Sequence, residues 1–216
     1  MQILKLFLEK ELNIKNDKII ENFINYEKLL FEWNIKINLV SRKTTSIESH
    51  ILNSIFFLAK YTFPGNSKII DIGTGGGFPG IPLKIIMSGL NIMLADSIQK
   101  KIKAVKDIIS KLELNDVRII CGRAEDLSKK KEYSKKFDIV IAKSVSTLDN
   151  LYTWSVELAK NRGEMIFIKG GDISGELISL ENKFKNIDYK IINYDFDKIY
   201  GIEDKKIVLI KNKNRK

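Results

Sequence analysis

The chain has 216 residues, of which 44% are hydrophobic and 30% are charged, a composition typical of folded globular proteins rather than disordered ones. No apolar run approaches the roughly 18 residues that a membrane span requires, and the single cysteine cannot form an internal disulfide, which fits a reducing cytoplasm. The formal net charge of +10 favours an anionic partner such as nucleic acid, although the abundant lysine is also what a biased genome composition would produce.

The first 63 residues have the period of amphipathic helices. Apolar side chains recur every three or four residues between about residues 17 and 34, with Asp17 as the expected N-cap. A shorter helix is predicted at about residues 3–12, and a third at about residues 45–61. The pattern therefore predicts an N-terminal helical extension over residues 1–63.

From residue 64 onward, short apolar runs alternate with helical stretches. The predicted strands cover residues 68–72, 91–95, 117–121, 137–142, 163–168, 189–196 and 206–211. The predicted helices cover residues 80–87, 98–112, 148–158 and 174–184. Such alternation indicates an α/β domain over residues 64–216, with crossover helices on both faces of a parallel sheet. No helix separates the last two strands, so we expect them to pair as an antiparallel hairpin at the sheet edge.

The most informative segment covers residues 69–80, where a buried strand ends in Asp71 and a glycine-rich turn opens a helix. Glycine lets the backbone approach a ligand closely, because no Cβ blocks the way. Open α/β sheets bind their ligands at the carboxyl ends of the strands. The turn is therefore the first candidate for a ligand site.

Two cofactors compete for this turn. Gly75, Gly77 and Gly80 satisfy G-x-G-x-x-G, the pattern of dinucleotide sites. Asp71 and Gly73 extend the turn backwards into D-x-G-x-G-x-G, the spacing of S-adenosylmethionine sites. We favour S-adenosylmethionine, and a nicotinamide-dependent oxidoreductase or a turn without a ligand remain the alternatives.

Two further segments follow the next strands. Asp96 ends the second strand, where an acid can accept hydrogen bonds from both ribose hydroxyls, and it can also cap the following helix. Residues 122–127 follow the third strand, at the position that meets the adenine ring in S-adenosylmethionine enzymes. Both segments fit the cofactor that the glycine turn suggests.

Residues 71–83, Asp-Ile-Gly-Thr-Gly-Gly-Gly-Phe-Pro-Gly-Ile-Pro-Leu, resemble the signature of the ribosomal RNA small subunit methyltransferase G family, also called glucose-inhibited division protein B. The Phe-Pro-Gly-Ile-Pro-Leu end of this motif is more specific than its glycines. The resemblance extends over nearly the whole chain, with further matches at Trp33-Asn34, Asn38-Leu39, His50-Ile51-Leu52 with Ser54, Gly122-Arg123-Ala124-Glu125 and Lys169-Gly170.

The resemblance implies a class I methyltransferase fold, which is a Rossmann-like, mostly parallel seven-stranded sheet with an antiparallel edge strand and an N-terminal helical extension. It implies a cytoplasmic enzyme that transfers the methyl group of S-adenosylmethionine to N7 of a guanine in 16S ribosomal RNA of the small subunit. We expect a monomer without a membrane segment. We also expect no metal, because the histidine and the cysteine lie far apart in the chain.

The resemblance and the turn together assign site residues. The expected cofactor-binding residues are Asp71, Gly73, Gly75, Gly77, Phe78, Asp96, Ala124, Glu125 and Lys143. The expected catalytic face toward the RNA consists of Arg123, Lys143 and Lys169. Lys143 stands where the family typically has an arginine, so the charge is kept but the planar, bidentate fork is lost. Asn53 stands where the family has an acid.

Methylation at guanine N7 needs little from the protein, because N7 is a free lone pair and requires no general base. The sequence, with one histidine and no evident acid–base pair, agrees with this chemistry. Methylation at pyrimidine C5 normally needs a cysteine nucleophile, and methylation of exocyclic amines commonly uses an Asn/Asp-Pro-Pro-Tyr/Phe motif. Cys121 ends a predicted strand, where packing is its more natural role, and the chain has no Pro-Pro pair.

Other hypotheses remain open from sequence. The enzyme could methylate a small molecule or a protein, or the chain could be a non-catalytic ribosome-binding protein, although its turn is intact. The lysines at residues 129–131 and the basic tail at residues 205–216 either follow RNA phosphates or are solvated surface.

Overall fold

A computed structural model of the chain describes residues 1–213. Residues 214–216, which end the predicted basic tail, lie outside the described residues. None of the helices among residues 1–213 is both long and apolar enough to cross a bilayer.

Seven strands form one sheet, and branched aliphatic residues dominate most of them, as expected for strands that are buried on both faces. In chain order the strands are β1 (Lys68–Ile72), β2 (Asn91–Asp96), β3 (Val117–Cys121), β4 (Phe137–Lys143), β5 (Ala159–Gly170), β6 (Tyr189–Asn193) and β7 (Lys205–Lys211). All seven predicted strands are therefore confirmed, with ends that differ by a few residues.

The described residues form eight α-helices. They are α1 (Gln2–Glu11), α2 (Asp17–Asn34), α3 (Glu48–Ile55), α4 (Gly80–Ile86), α5 (Gln99–Lys111), α6 (Ala124–Leu127), α7 (Leu148–Leu158) and α8 (Ser174–Lys183). Short 3-10 turns cover Phe56–Ala59 and Lys198–Tyr200. The sequence pattern did not predict α6, because one helical turn is too short to show a period.

The strand order is β3-β2-β1-β4-β5-β7-β6. Strands β1 to β5 run parallel, and β7 runs antiparallel to both β5 and β6. The predicted class I methyltransferase sheet and its antiparallel hairpin are confirmed, with β6 outermost and the antiparallel strand β7 one place inside it. The chain leaves β1 toward β2 on one side and returns to β4 on the other, so the order reverses at β1, where open α/β sheets bind ligands.

Alternate side chains of each strand enter two different cores. Ile69, Ile139 and Ile166 face a core that also contains buried side chains of α1 to α5. Ile70 and Val140, each one residue further along its strand, face a second core under α7 and α8. This period of two follows from strand geometry and fixes which face each end-of-strand side chain can reach.

The N-terminal helices differ from the prediction at two points. Asn16 caps α2, with its Oδ1 accepting from the Lys18 amide at 3.0 Å, and the predicted cap Asp17 is the first helical residue, paired with Lys5 instead. The third helix ends at Ile55 rather than near residue 61, because the chain tightens into a 3-10 turn that buries both Phe56 and Phe57.

The helical segment and the sheet share one hydrophobic core. Helix α2 packs against α4 and α5, and α3 packs against α4. Polar contacts cross the same seam: the Tyr26 hydroxyl donates to the Gly76 carbonyl at 2.8 Å, and the Trp33 indole donates to Asp107 at 2.8 Å. The N-terminal segment is thus fastened directly to the glycine turn, and the domain boundary at residue 64 stays a prediction.

We predict that Tyr26→Phe lowers the free energy of unfolding by about 1–2 kcal/mol, because the buried Gly76 carbonyl loses its donor. Urea denaturation at pH 7 measures this loss. Tyr189→Phe is the matched control, since it removes a hydroxyl that contacts Glu181 at the surface, and we expect a change within about 0.5 kcal/mol. Equal losses in the two variants would contradict the importance of the seam.

Candidate active site

A cleft of about 290 Å³ opens at the carboxyl ends of β1, β2, β3 and β4. Its wall combines the glycine turn, the ends of the strands and the start of two helices. The lining residues are Gly73, Ala95, Asp96, Ser97, Ile98, Lys101, Gly122, Arg123, Ala124, Glu125, Ser144, Val145 and Trp154. The cleft lies where the reversal of strand order predicts a ligand.

The glycine turn is held from below by Asp71. This carboxylate is fully buried, and its Oδ2 accepts from the Thr74 hydroxyl at 2.7 Å and from the Gly80 amide at 2.9 Å. The Gly73 and Thr74 amides donate to the Ala95 carbonyl at 2.8 and 2.9 Å, which ties the turn to the end of β2. Asp71 therefore shapes the turn and does not line the cleft.

The Asp71 carboxyl has an unusual environment. Burial raises its pKa to about 7, against the hydrogen bonds from Thr74 and Gly80 and the charge of Lys143, which lower it. Its second oxygen, Oδ1, has no hydrogen-bond partner among residues 1–213. The charge beneath the turn thus changes around neutral pH.

Gly73 is the point where the turn meets the opposite wall. Its φ of +74° lies in the left-handed region, and a Cβ there would come within 2.6 and 2.7 Å of the Val145 methyl carbons. Only glycine fits both the backbone angle and the space. The sequence pattern suggested that glycine is needed at position 73, and this backbone angle and limited space are the physical reason.

Asp96 occupies the second anchor position. Its Oδ2 accepts from the Gly75 amide and its Oδ1 from the Ile98 amide, both at 2.9 Å, and the residue lines the cleft. Each carboxylate oxygen keeps a second lone pair for a ligand hydroxyl. Asp96 can therefore fix the turn and face a ligand at the same time, and its contact with a ribose stays a prediction.

The third anchor is the start of α6. The Gly122 amide donates to the Asp96 carbonyl at 2.9 Å, which brings the third strand end beside the second. The Asp126 and Leu127 amides donate to the Arg123 carbonyl, but the amides of Ala124 and Glu125, which begin the helix, have no intrahelical acceptor. These amides can meet the nitrogen edge of a purine. Arg123 lies at the rim, with its side chain 71% exposed and 4.0 Å from Glu125.

Phe78 lies outside the cleft, in the seam with the helical segment. Its ring centre is 5.5 Å from that of Tyr26, 5.4 Å from that of His50 and 5.4 Å from the Lys143 ammonium nitrogen. Burial and then the charge of Lys143 lower the pKa of His50, so this imidazole is neutral at pH 7. Burial also lowers the pKa of Lys143, with Asp71 opposing and Lys205 adding to that shift.

The two predicted catalytic lysines lie on opposite faces of the sheet. Lys143 pairs in register with Ile168, which faces the helical-segment core, so the next residue, Lys169, must face the other side. There the Lys169 ammonium donates to the Ser146 carbonyl at 2.7 Å and to Glu176 at 2.6 Å.

The structure gathers part of the predicted set around the cleft, namely Gly73, Asp96, Arg123, Ala124 and Glu125. The remaining predicted residues lie beside it or beneath it: Asp71, Gly75, Gly77, Phe78, Lys143 and Lys169. Val145 and Trp154 are cleft residues that sequence reasoning missed. Trp154 lies nearly two turns into α7, so only the place of that helix directly after β4 could have indicated the cleft. Among residues 1–213, no three His, Cys, Asp or Glu side chains are close enough to hold a metal.

The residues present fit S-adenosylmethionine better than a dinucleotide. The floor of the turn is a carboxyl group, Asp71, which disfavours a pyrophosphate and suits a cationic amino-acid group. The crowded position of Gly73 lets the backbone come close to a ligand. Asp96, at the end of β2, can accept from hydroxyl groups, and the free amides of α6 can contact the edge of a purine.

Solved structures share this fold. A SAM-dependent methyltransferase from Aquifex aeolicus matches with a TM-score of 0.56 at 13% identity, over 74% of this chain and 91% of that chain. An O-methyltransferase from Bacillus cereus in complex with SAH matches with a TM-score of 0.59 at 17% identity, over 96% of both chains. These likenesses show that the chain has the fold of the class I methyltransferases.

Sequence relatives narrow the class to a family. The family model described as rRNA small subunit methyltransferase G matches residues 19–198. Ribosomal RNA small subunit methyltransferase G from Clostridium novyi (strain NT) is 41% identical over 165 residues, 75% of this chain and 68% of that protein. The protein of the same name from Mycoplasma capricolum subsp. capricolum is 39% identical over 188 residues, 84% of this chain and 80% of that protein. The chain belongs to the rRNA small subunit methyltransferase G family.

We predict that Gly73→Ala weakens S-adenosylmethionine binding about tenfold or more, because the new Cβ pushes Val145 and the wall it belongs to. Isothermal titration calorimetry measures the dissociation constant. Gly201→Ala is the control: its φ of +61° is similar, nothing lies within 4 Å of the added carbon, and it does not line the cleft. The control should lose some stability and keep its affinity. Unchanged affinity in Gly73→Ala would remove this residue from the binding site.

Proposed function

We propose that this enzyme transfers the methyl group of S-adenosylmethionine to N7 of a guanine in 16S ribosomal RNA of the small ribosomal subunit. The observation that carries the proposal is the cleft at the carboxyl ends of β1 to β4, in a chain whose family match spans residues 19–198. We place the enzyme in the cytoplasm, where ribosomal subunits are, and propose that it acts as a monomer.

The cleft residues hold the cofactor in this proposal. Gly73, Asp96, Ala124 and Glu125 contact it, while Asp71, Gly75, Gly77 and Phe78 keep the turn in the shape that these contacts need. When bound, S-adenosylmethionine supplies an electrophilic methyl group on a positively charged sulfur. The protein's task is to bring a nucleophile into line with that methyl group and to exclude competing water.

The nucleophile N7 carries no proton, so no side chain has to remove one. The only histidine of the sequence, His50, is neutral at pH 7 and lies in the seam beside Phe78, and nothing in this role requires it to act as a base. Orientation of the guanine is the remaining requirement. Lysine and arginine side chains bind the O6 and N7 edge of guanine, and a lysine that takes O6 leaves N7 free to react.

Lys143 has the position for that contact. It ends β4 at the edge of the sheet that carries the cleft, and it has no carboxylate within salt-bridge distance among residues 1–213. Lys205, at the start of β7, lies on the same face, because it is two residues from Ile207, which pairs with Ile168. We propose that the RNA approaches this face, with Lys143 directed to the base and Lys205 to a phosphate, and with Arg123 at the exposed rim.

The domain division enters the same proposal. We propose that residues 1–63 form the helical extension and residues 64–216 the methyltransferase domain. The extension lies on the face that carries Phe78, Lys143 and Lys205, so it borders the surface that the RNA would meet.

The experiment that tests the function is methyl transfer from labelled S-adenosylmethionine to small ribosomal subunits that lack the modification, followed by mapping of the labelled base. We expect label at N7 of one guanine of 16S ribosomal RNA. Subunits that already carry the modification are the control and should take up no label. Cofactor binding without label on RNA would move the substrate to a small molecule or a protein.

We predict that Lys143→Ala lowers kcat/KM for methyl transfer by about 10- to 100-fold while the melting temperature changes little, because the charge contacts substrate and forms no salt bridge within residues 1–213. Lys143→Arg keeps the charge and should retain most activity. Lys190→Ala, which removes an exposed lysine from the edge strand β6, should match the wild type. Unchanged turnover in Lys143→Ala would remove Lys143 from the catalytic face.

A further inference from the structure

The loop between β4 and α7, residues 144–147, forms one wall of the cofactor cleft. Ser144 and Val145 line the cleft, and the Val145 methyl groups occupy the space beside Gly73. The backbone of this loop is not relaxed, because Ser144 has a φ of +54°, a left-handed angle that non-glycine residues rarely adopt. Such a loop keeps its position only if surrounding contacts hold it.

A partly buried ion pair supplies those contacts. The Lys169 ammonium donates to the Ser146 carbonyl at 2.7 Å and to Glu176 Oε2 at 2.6 Å, and the Lys169 side chain is only 8% exposed. The same Glu176 oxygen accepts from the Leu148 amide at 2.9 Å, at the first residue of α7. Lys169 thus holds the loop at the Ser146 carbonyl, and Glu176 holds it at the Leu148 amide, which belongs to the next peptide group.

We propose that Glu176 is a positioning residue for the methyltransferase, which together with Lys169 holds the β4–α7 loop against Gly73 and so sets the width of the cofactor cleft. The proposal rests on the cofactor assignment of the cleft and not on the identity of the RNA substrate. In this proposal Lys169 acts on the cofactor cleft indirectly, by holding the loop. A buried cation with two acceptors in hydrogen-bond contact has little freedom to reach RNA on the other face of the sheet.

The first test compares Glu176→Ala and Glu176→Gln. Glutamine keeps an acceptor for the Leu148 amide but loses the charge that holds Lys169. We expect the dissociation constant for S-adenosylmethionine to rise about tenfold in Glu176→Ala and less in Glu176→Gln. At saturating cofactor, kcat should stay within about threefold of the wild type, since no group that touches the substrate has changed.

The matched control lies on the same helix. Glu181→Ala and Glu181→Gln remove a carboxylate of α8 that is exposed and contacts Tyr189 instead of the loop. Both should bind the cofactor like the wild type. Trp154 lines the cleft, so its fluorescence in a Trp33→Phe background reports the wall directly, and we expect an altered emission maximum in the Glu176 variants only. Wild-type affinity and emission in folded Glu176→Ala would overturn the proposal.

The second test asks whether the two residues act together. Lys169→Met and Glu176→Leu each leave a charge without its partner, and the double variant leaves none, which keeps a folded form available if a single variant fails to fold. We expect the double variant to raise the cofactor dissociation constant about as much as either single variant, because the effects are not additive. Additive effects, or a loss of turnover in Lys169→Met with unchanged cofactor affinity, would instead place Lys169 on the substrate and overturn the shared role.

The cofactor dissociation constants and the Trp154 emission are measured without RNA, so these readouts stand apart from the RNA assay. If the RNA assay gave no label while the Glu176 variants still weakened cofactor binding, the positioning role would hold and the substrate assignment alone would fail.

Discussion

The buried carboxyl group of Asp71 is the contact on which the cleft depends. It accepts from Thr74 within the glycine turn and from Gly80 at the start of α4, so one side chain fixes both ends of the turn. Those bonds leave the turn little freedom, and glycines then let it pass close to the end of β2 and to Val145. A small side chain beneath the backbone thereby shapes a surface that it does not itself reach.

The helical extension belongs to the same construction. Tyr26 donates to the Gly76 carbonyl, and Phe78, which follows the glycines, buries its ring between Tyr26 and His50. Packing against the helical extension accounts for Phe78 and Ile81 in the specific end of the family motif, Phe-Pro-Gly-Ile-Pro-Leu. The turn and the N-terminal helices thus share one hydrophobic core.

Much of this could be predicted from the sequence, because period and spacing are local properties. The alternation after residue 64 gave every strand, and the D-x-G-x-G-x-G spacing placed the cofactor end. What could not be predicted depends on neighbours distant in the chain: that Lys169 meets Glu176, that Val145 meets Gly73, and that Trp154 faces the cleft. The error at Asp17 has a local reason, since Asn16 is an equally good cap and the two adjacent residues compete for one position.

The lysines at the ends of β4 and β5 show how strand geometry divides the tasks of similar side chains. Register puts Lys143 on the face of the helical extension. There it interacts with the buried carboxyl of Asp71, whose pKa burial raises to about 7 and which neutralises it only in part. Lys169 faces α8, where Glu176 neutralises it. The first ammonium remains able to attract an acceptor from outside the protein, and the second is committed to the loop. This division of charge supports the proposed approach of the RNA from the side of the sheet that carries the extension, next to the cleft.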